Sequence, residues 1–211
     1  MKKLIYFIFG MAAFGISQFI LRIPLLKLAE TTTPYIFLSV ANPSLLSWLI
    51  AFSAGLFEET GRLALMKLSE KAAHQTHLKF SDAFIFGFGH GLLEALWILS
   101  YTAQYIRLYG LTADAVMSIF ERLFAIVFHI AMSVLLAAAI NFRQYRLYFI
   151  ALAAHTVMDG IIIYFTSPIV LEAVFACIAL AALASSLALF YKKENLGGKN
   201  HAEHQKFHKN L

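Results

Sequence analysis

Apolar runs of about 20 residues, each long enough to cross a hydrocarbon layer, fill most of this chain, and several carry charges in their middles. Six can be drawn, over residues 4–21, 45–68, 80–101, 116–140, 145–165 and 169–191. Of the 211 residues 60% are hydrophobic and 14% charged, whereas a soluble domain carries about 25% charged residues. The expected fold is therefore an all-α, polytopic membrane bundle of about six transmembrane helices. Lys2 and Lys3 ahead of the first run suggest a signal peptide, but the run is long and no small-x-small cleavage site follows it. An uncleaved helix is the expectation.

The net charge of +5 does not point to nucleic acid, because the basic residues sit in short loops and in the tail. Placing the N-terminus inside puts twelve of them on the cytoplasmic side, Lys67, Lys71, Lys79, Arg143 and Arg146 included. Only Arg22, Lys27 and Arg107 fall on the other side. That asymmetry predicts both termini in the cytoplasm and a multi-pass protein of the plasma membrane, with lipid as its surroundings. Residues 1–191 read as one membrane domain with a core over 45–165, and residues 192–211 as a polar, disordered tail hinged at Gly197 and Gly198. The segment 30–43, bracketed by Pro34 and Pro43, is neither clear loop nor clear helix. A single cysteine, Cys177, rules out an intramolecular disulfide.

The buried charges carry the functional argument. Glu58, Glu59, Arg62, Glu94, Asp159, His90, His129 and His155 all lie inside the apolar runs. A charge near the bilayer centre costs about 2.5–3.5 kcal/mol on insertion scales, so such residues mark function more often than not. Counted from the cytoplasmic end of each span, Glu58, His90 and His155 lie about 15 Å deep and His129 about 16 Å. Four helices thus bring a polar group to one level. His90 and Glu94 are i,i+4, as are His155 and Asp159, which puts each carboxylate on the face of its histidine. Adjacent Glu58 and Glu59 project about 100° apart, and Arg62 can neutralise either. Glu121 and Arg122 read as an interfacial pair near a helix start. The glycines of Gly87-Phe88-Gly89-His90-Gly91 allow close approach of a neighbouring backbone or a substrate.

The order Glu58-Glu59-Thr60-Gly61-Arg62, Phe86-Gly87-Phe88-Gly89-His90 with Glu94, and His155-Thr156-Val157-Met158-Asp159 resembles the motifs of the CAAX-protease and bacteriocin-processing superfamily. Within it the chain is similar to the YhfC-type membrane peptidases, neighbours of the PrsW-like proteases, over roughly residues 45–165. The resemblance implies hydrolysis of a peptide bond in a membrane-anchored or membrane-spanning substrate. Glu58 would then be the base that activates water, His90 and His155 would bind that water or the oxyanion, and Asp159 would orient His155. Zinc is one option, with His90, His129, His155 and Glu58 as candidate ligands. A metal-free mechanism of glutamate and water is equally open. Two other classes stay open as well: a proton-coupled transporter, since such residues also form relays, and a non-catalytic scaffold that binds a partner helix.

Overall fold

The computed structural model describes the backbone of residues 2–209 and the side chains of residues 2–195. Every regular element is helical, and no strand occurs among the described residues. Helices α1 (Lys2–Gly15) and α2 (Ile23–Ala29) are joined without a break by a π-helical stretch, Ile16–Arg22. A short α3 (Thr33–Ala41) follows, then α4 (Pro43–Ala72), α5 (Phe80–Tyr109), α6 (Ala113–Asn141) and α7 (Arg146–Gly160). One 3-10 turn, Ile161–Tyr164, leads to α8 (Pro168–Lys209). The backbone of α8 runs as helix through Gly197 and Gly198, where the sequence suggested a hinge. The side chains of most of that tail lie outside the described residues.

Five of these helical spans are long and apolar enough to cross a membrane: Lys2–Ala29, Phe80–Tyr109, Ala113–Asn141, Arg146–Tyr164 and Pro168–Asn195. Helix α4 matches them in length, but Glu58, Glu59 and Arg62 in its middle lower its apolarity. It packs against α1, α6 and α7 all the same, so it belongs to the bundle as its sixth long helix. The first span is longer than the 4–21 read from sequence, and the ambiguous segment 30–43 forms α3, which buries none of its residues. Large apolar side chains such as Leu4, Ile8, Phe149 and Ile169 are exposed on the outside of the bundle, as lipid contact requires.

Helix α6 is the axis. Its residues from Phe128 to Ala139 are all buried, because α5 and α8 pack along it and α4 and α7 touch it. Local chemistry sets the helix ends. Asn42 caps α4 through Leu45 N at 3.0 Å, with Pro43 in the first turn. Thr112 accepts from Ala115 N at the start of α6, and Gly110, at φ 81°, ends α5.

The alternating glycines of α5 make this packing possible. A Cβ on Gly89 would run into Phe7 O of α1. On the opposite side, a Cβ on Gly87 would lie 2.6 Å from Ile130 Cα and 2.8 Å from His129 O, both on α6. Backbone cannot yield as a side chain can, so Gly87→Ala is expected to cost about 1–3 kcal/mol. Thermal unfolding in detergent measures it. Gly15→Ala is the control, since its Cβ would meet Leu93 Cδ2 at 3.6 Å and Phe19 Cδ2 at 4.0 Å, both ordinary contacts with side chains.

Candidate active site

Glu58 and Glu59 leave α4 in different directions, as their 100° offset demands. Glu58 lines a cavity, and its Oε2 lies 3.0 Å from His90 Nε2 of α5 and 3.8 Å from His155 Nε2 of α7. Glu59 lies behind it and is fully buried. Its Oε1 accepts from His155 Nδ1 at 2.7 Å, and its Oε2 faces Arg62 Nε at 3.1 Å. His129 of α6 completes the group: one ligand atom each from Glu58, His90 and His129 lie within 4.8 Å of one another. The polar groups expected at one depth on four helices do converge.

Their partners differ from those expected on single helices. Glu94 does not orient His90; it pairs with His129 Nε2 and with Arg122 Nη1, the latter at 2.9 Å. His90 turns instead to Glu58. Asp159 shares a face with His155 but reaches only Nε2, at 3.8 Å, beyond hydrogen-bond range. Glu59 is the carboxylate that fixes the His155 ring. Arg62 neutralises Glu59 rather than Glu58. It also donates to His129 O, Ser133 Oγ and His129 Nδ1, at 2.9, 2.9 and 2.7 Å. Arg122 is 8% exposed and lies between Glu94 and Glu121, so it faces the bundle interior. Glu58 and Glu94 pair across the bundle with histidines of other helices, while Glu59 and Glu121 each face an arginine of their own helix.

These bonds fix three proton positions. A guanidinium has donors only, so His129 Nδ1 must accept from Arg62, and His129 Nε2–H must donate to Glu94. Both nitrogens of His129 are committed. His155 is the reverse case: Nδ1–H donates to Glu59, and Nε2 faces the cavity. His90 Nε2–H donates to Glu58, and His90 Nδ1 is buried with no partner.

The cavity has a volume of 120 Å³, room for several waters. Its polar wall is Gln18, Glu58, Glu94, Glu121, Arg122, His129, His155 and Asp159, and Phe14, Trp97, Phe128 and Phe175 are part of the apolar remainder. His90 and Glu59 do not line it; each acts on the cavity through a neighbour. Two of these residues escaped the sequence reading. Gln18, 4% exposed, donates from Nε2 to Glu58 Oε1. Ser133, fully buried, holds Arg62. Neither is charged, so neither stood out from its apolar run. The signal for Gln18 was its i,i+4 spacing to Arg22, a polar pair inside an otherwise lipid-like stretch.

A metal is tested by lone pairs. Zinc takes three or four donors at about 2.0–2.2 Å, and one carboxylate with two imidazoles is a set it uses. The close trio of Glu58, His90 and His129 has that composition. As arranged it offers two lone pairs, from Glu58 and His90, because Arg62 and Glu94 hold both nitrogens of His129. A ligating histidine also needs a partner on its second nitrogen, and His90 Nδ1 has none. That trio as arranged does not fit a three-ligand zinc site, and His155, with Nδ1–H held by Glu59 and Nε2 3.8 Å from Glu58, is the further candidate ligand.

No match was found among curated proteins or among solved structures. A family model described as YhfC intramembrane metalloprotease matches residues 2–113 and 106–180, which hold every motif residue named above. The chain belongs to that family.

Proposed function

We propose that this protein is an intramembrane endopeptidase of a plasma membrane, with both termini cytoplasmic. It hydrolyses a peptide bond of a membrane-anchored or membrane-spanning substrate with a glutamate-activated water. One observation carries the reading: a carboxylate, Glu58, faces a cavity with room for water and lies 3.8 Å from His155 Nε2.

The chemistry follows from the two atoms 3.8 Å apart, Glu58 Oε2 and His155 Nε2. A water between them donates one O–H to each and turns an oxygen lone pair toward a carbonyl carbon in the cavity. As the new C–O bond forms, its proton passes to Glu58, and the carbonyl electron pair moves onto oxygen. Glu58 then gives that proton to the amide nitrogen as the C–N bond breaks. Glu59 keeps the lone pair of His155 on Nε2 by accepting from Nδ1. His90 steadies the attacking carboxylate. Asp159, across His155 from Glu58, is placed to receive a polar group of the substrate.

The family description names a metal, for which Glu58, His90 and His155 are the candidate ligands; Glu58 is proposed to activate the water without one. Purified protein that cleaves peptide is expected to hold well under one equivalent of zinc and to keep its activity in 1,10-phenanthroline. One equivalent of zinc, retained in His129→Ala and lost in His90→Ala, would return the mechanism to a metal.

A further inference from the structure

The proposed mechanism leaves one requirement unmet. The oxyanion needs a hydrogen-bond donor close to Glu58, and Arg122, a donor side chain of the cavity wall, is engaged by Glu94 and Glu121. Three observations on the first span converge on a single side chain.

The first is backbone geometry. The stretch Ile16–Arg22 is π-helical, and Ile23 N–H bonds back to Gln18 O, five residues earlier. This stretch lies against α4 at a point without a side chain: a Cβ on Gly61 would run into Ser17 Oγ and lie 3.5 Å from Ala13 O. Close approach at Gly61 delivers the next residue, Gln18, to Glu58.

The second is orientation. Gln18 Oε1 accepts from Arg22 Nη1 at 3.0 Å. Arg22 is itself anchored to α4, through Nε to Ser53 Oγ and Nη2 to Ile50 O, both at 3.0 Å. Because arginine only donates, the amide oxygen must face Arg22 and the NH2 group must face Glu58. The ambiguity of an amide flip is removed by chemistry.

The third is a spare donor. The Gln18 NH2 group carries two hydrogens; one goes to Glu58 Oε1, and the side chain lines the cavity. Among the described residues nothing accepts the second.

We infer that Gln18 is the oxyanion donor of this site, with Arg22 as the positioning residue that aims it. The inference rests on the peptidase reading and adds a catalytic residue from outside the motifs of α4, α5 and α7. In the tetrahedral stage the carbonyl oxygen takes the free N–H, while Glu58, now protonated on Oε2, keeps the other at Oε1. Both bonds are made by one rigid amide, so no reorganisation is needed as charge develops.

The test uses wild-type protein in phosphatidylethanolamine–phosphatidylglycerol vesicles with a library of quenched-fluorescent apolar peptides roughly 20 residues long. Gln18→Met keeps shape and loses both donors. Gln18→Glu keeps the bond to Arg22 and also loses the donors. Both are expected to lower kcat about 10²–10³-fold with KM within threefold, the loss seen when one oxyanion donor is removed elsewhere. Gln18→Asn, which retains the amide, should recover part of that loss. Arg22→Met should lower kcat less than Gln18→Met, and the double variant should be no worse than Gln18→Met alone, because Arg22 acts through Gln18. Unfolding midpoints near wild type show that the fold persists. Wild-type cleavage abolished by Glu58→Gln, with Gln18→Glu within threefold of wild type in kcat, overturns this inference and leaves the peptidase. A folded wild-type protein that cleaves nothing overturns both.

Discussion

Glu58→Gln is expected to lower turnover by about 10³-fold while the protein inserts, folds and unfolds at nearly the wild-type temperature. The isosteric amide keeps its place. Its oxygen still accepts from Gln18, and its NH2 group can donate to His90 Nε2 once that ring carries its proton on Nδ1. What is lost is the cavity carboxylate that His90 and Gln18 hold 3.8 Å from His155 Nε2; Asp159 lies at the same distance but has neither bond. Glu59→Gln should behave differently. Glu59 does not touch the cavity, so its loss acts through the ring of His155 and the charge of Arg62. The expected pattern is partial activity together with lower stability. Turnover and thermal unfolding, measured on both variants, separate a base from its support. If Glu59→Gln were the inactive, stable variant, the assignment of the two glutamates would be reversed.

The largest effect on stability is expected at Arg62. This guanidinium is fully buried, faces the fully buried Glu59, and donates three hydrogen bonds to α6. Arg62→Met removes the guanidinium that faces Glu59 and leaves the buried carboxylate with His155 alone. Breaking one side of a buried pair costs about 3–5 kcal/mol, a large share of what a domain of this size holds. The double variant Arg62→Met with Glu59→Gln should recover much of that loss, since the stranded charge is gone. Arg62→Lys should recover little, because an ammonium cannot span Glu59, His129 and Ser133 at once. Equal unfolding temperatures for Arg62→Met and the double variant would mean that Arg62 contributes packing rather than charge balance.

The bundle was legible in the sequence because hydrocarbon imposes a length and leaves no backbone unpaired. Each run of apolar residues became a helix, and boundaries moved mainly where polar ends continued the helix, as at Lys2–Ala29 and Pro43–Ala72. The meeting of Glu58, His90, His129 and His155 was legible as well, from depth alone. What spacing could not show was direction. His90–Glu94 and His155–Asp159 have the separation of paired residues, yet Glu94 serves His129 and Glu59 serves His155. An i,i+4 rule describes a helix with a free surface, whereas in a packed bundle the neighbouring helix is nearer than the next turn. The inward turn of Arg122 was hidden for the same reason, since its depth along α6 says nothing of the face it occupies. Gln18 was invisible for a further one: an uncharged amide costs an apolar span little, so it raises no alarm.

The account depends on Glu58 of α4 and His90 of α5 sharing one pocket inside the bundle, and cross-linking in native membranes tests that directly. On a Cys177→Ser background, Glu58→Cys with His90→Cys would be treated with a short bifunctional thiol reagent and then cut by protease in the loop over residues 73–79. Fragments that stay joined on a denaturing gel are the predicted result, while Leu56→Cys with His90→Cys, Leu56 being exposed on the outside of the bundle, should separate. Separation of the first pair would contradict the account, for it would mean that these two groups do not meet.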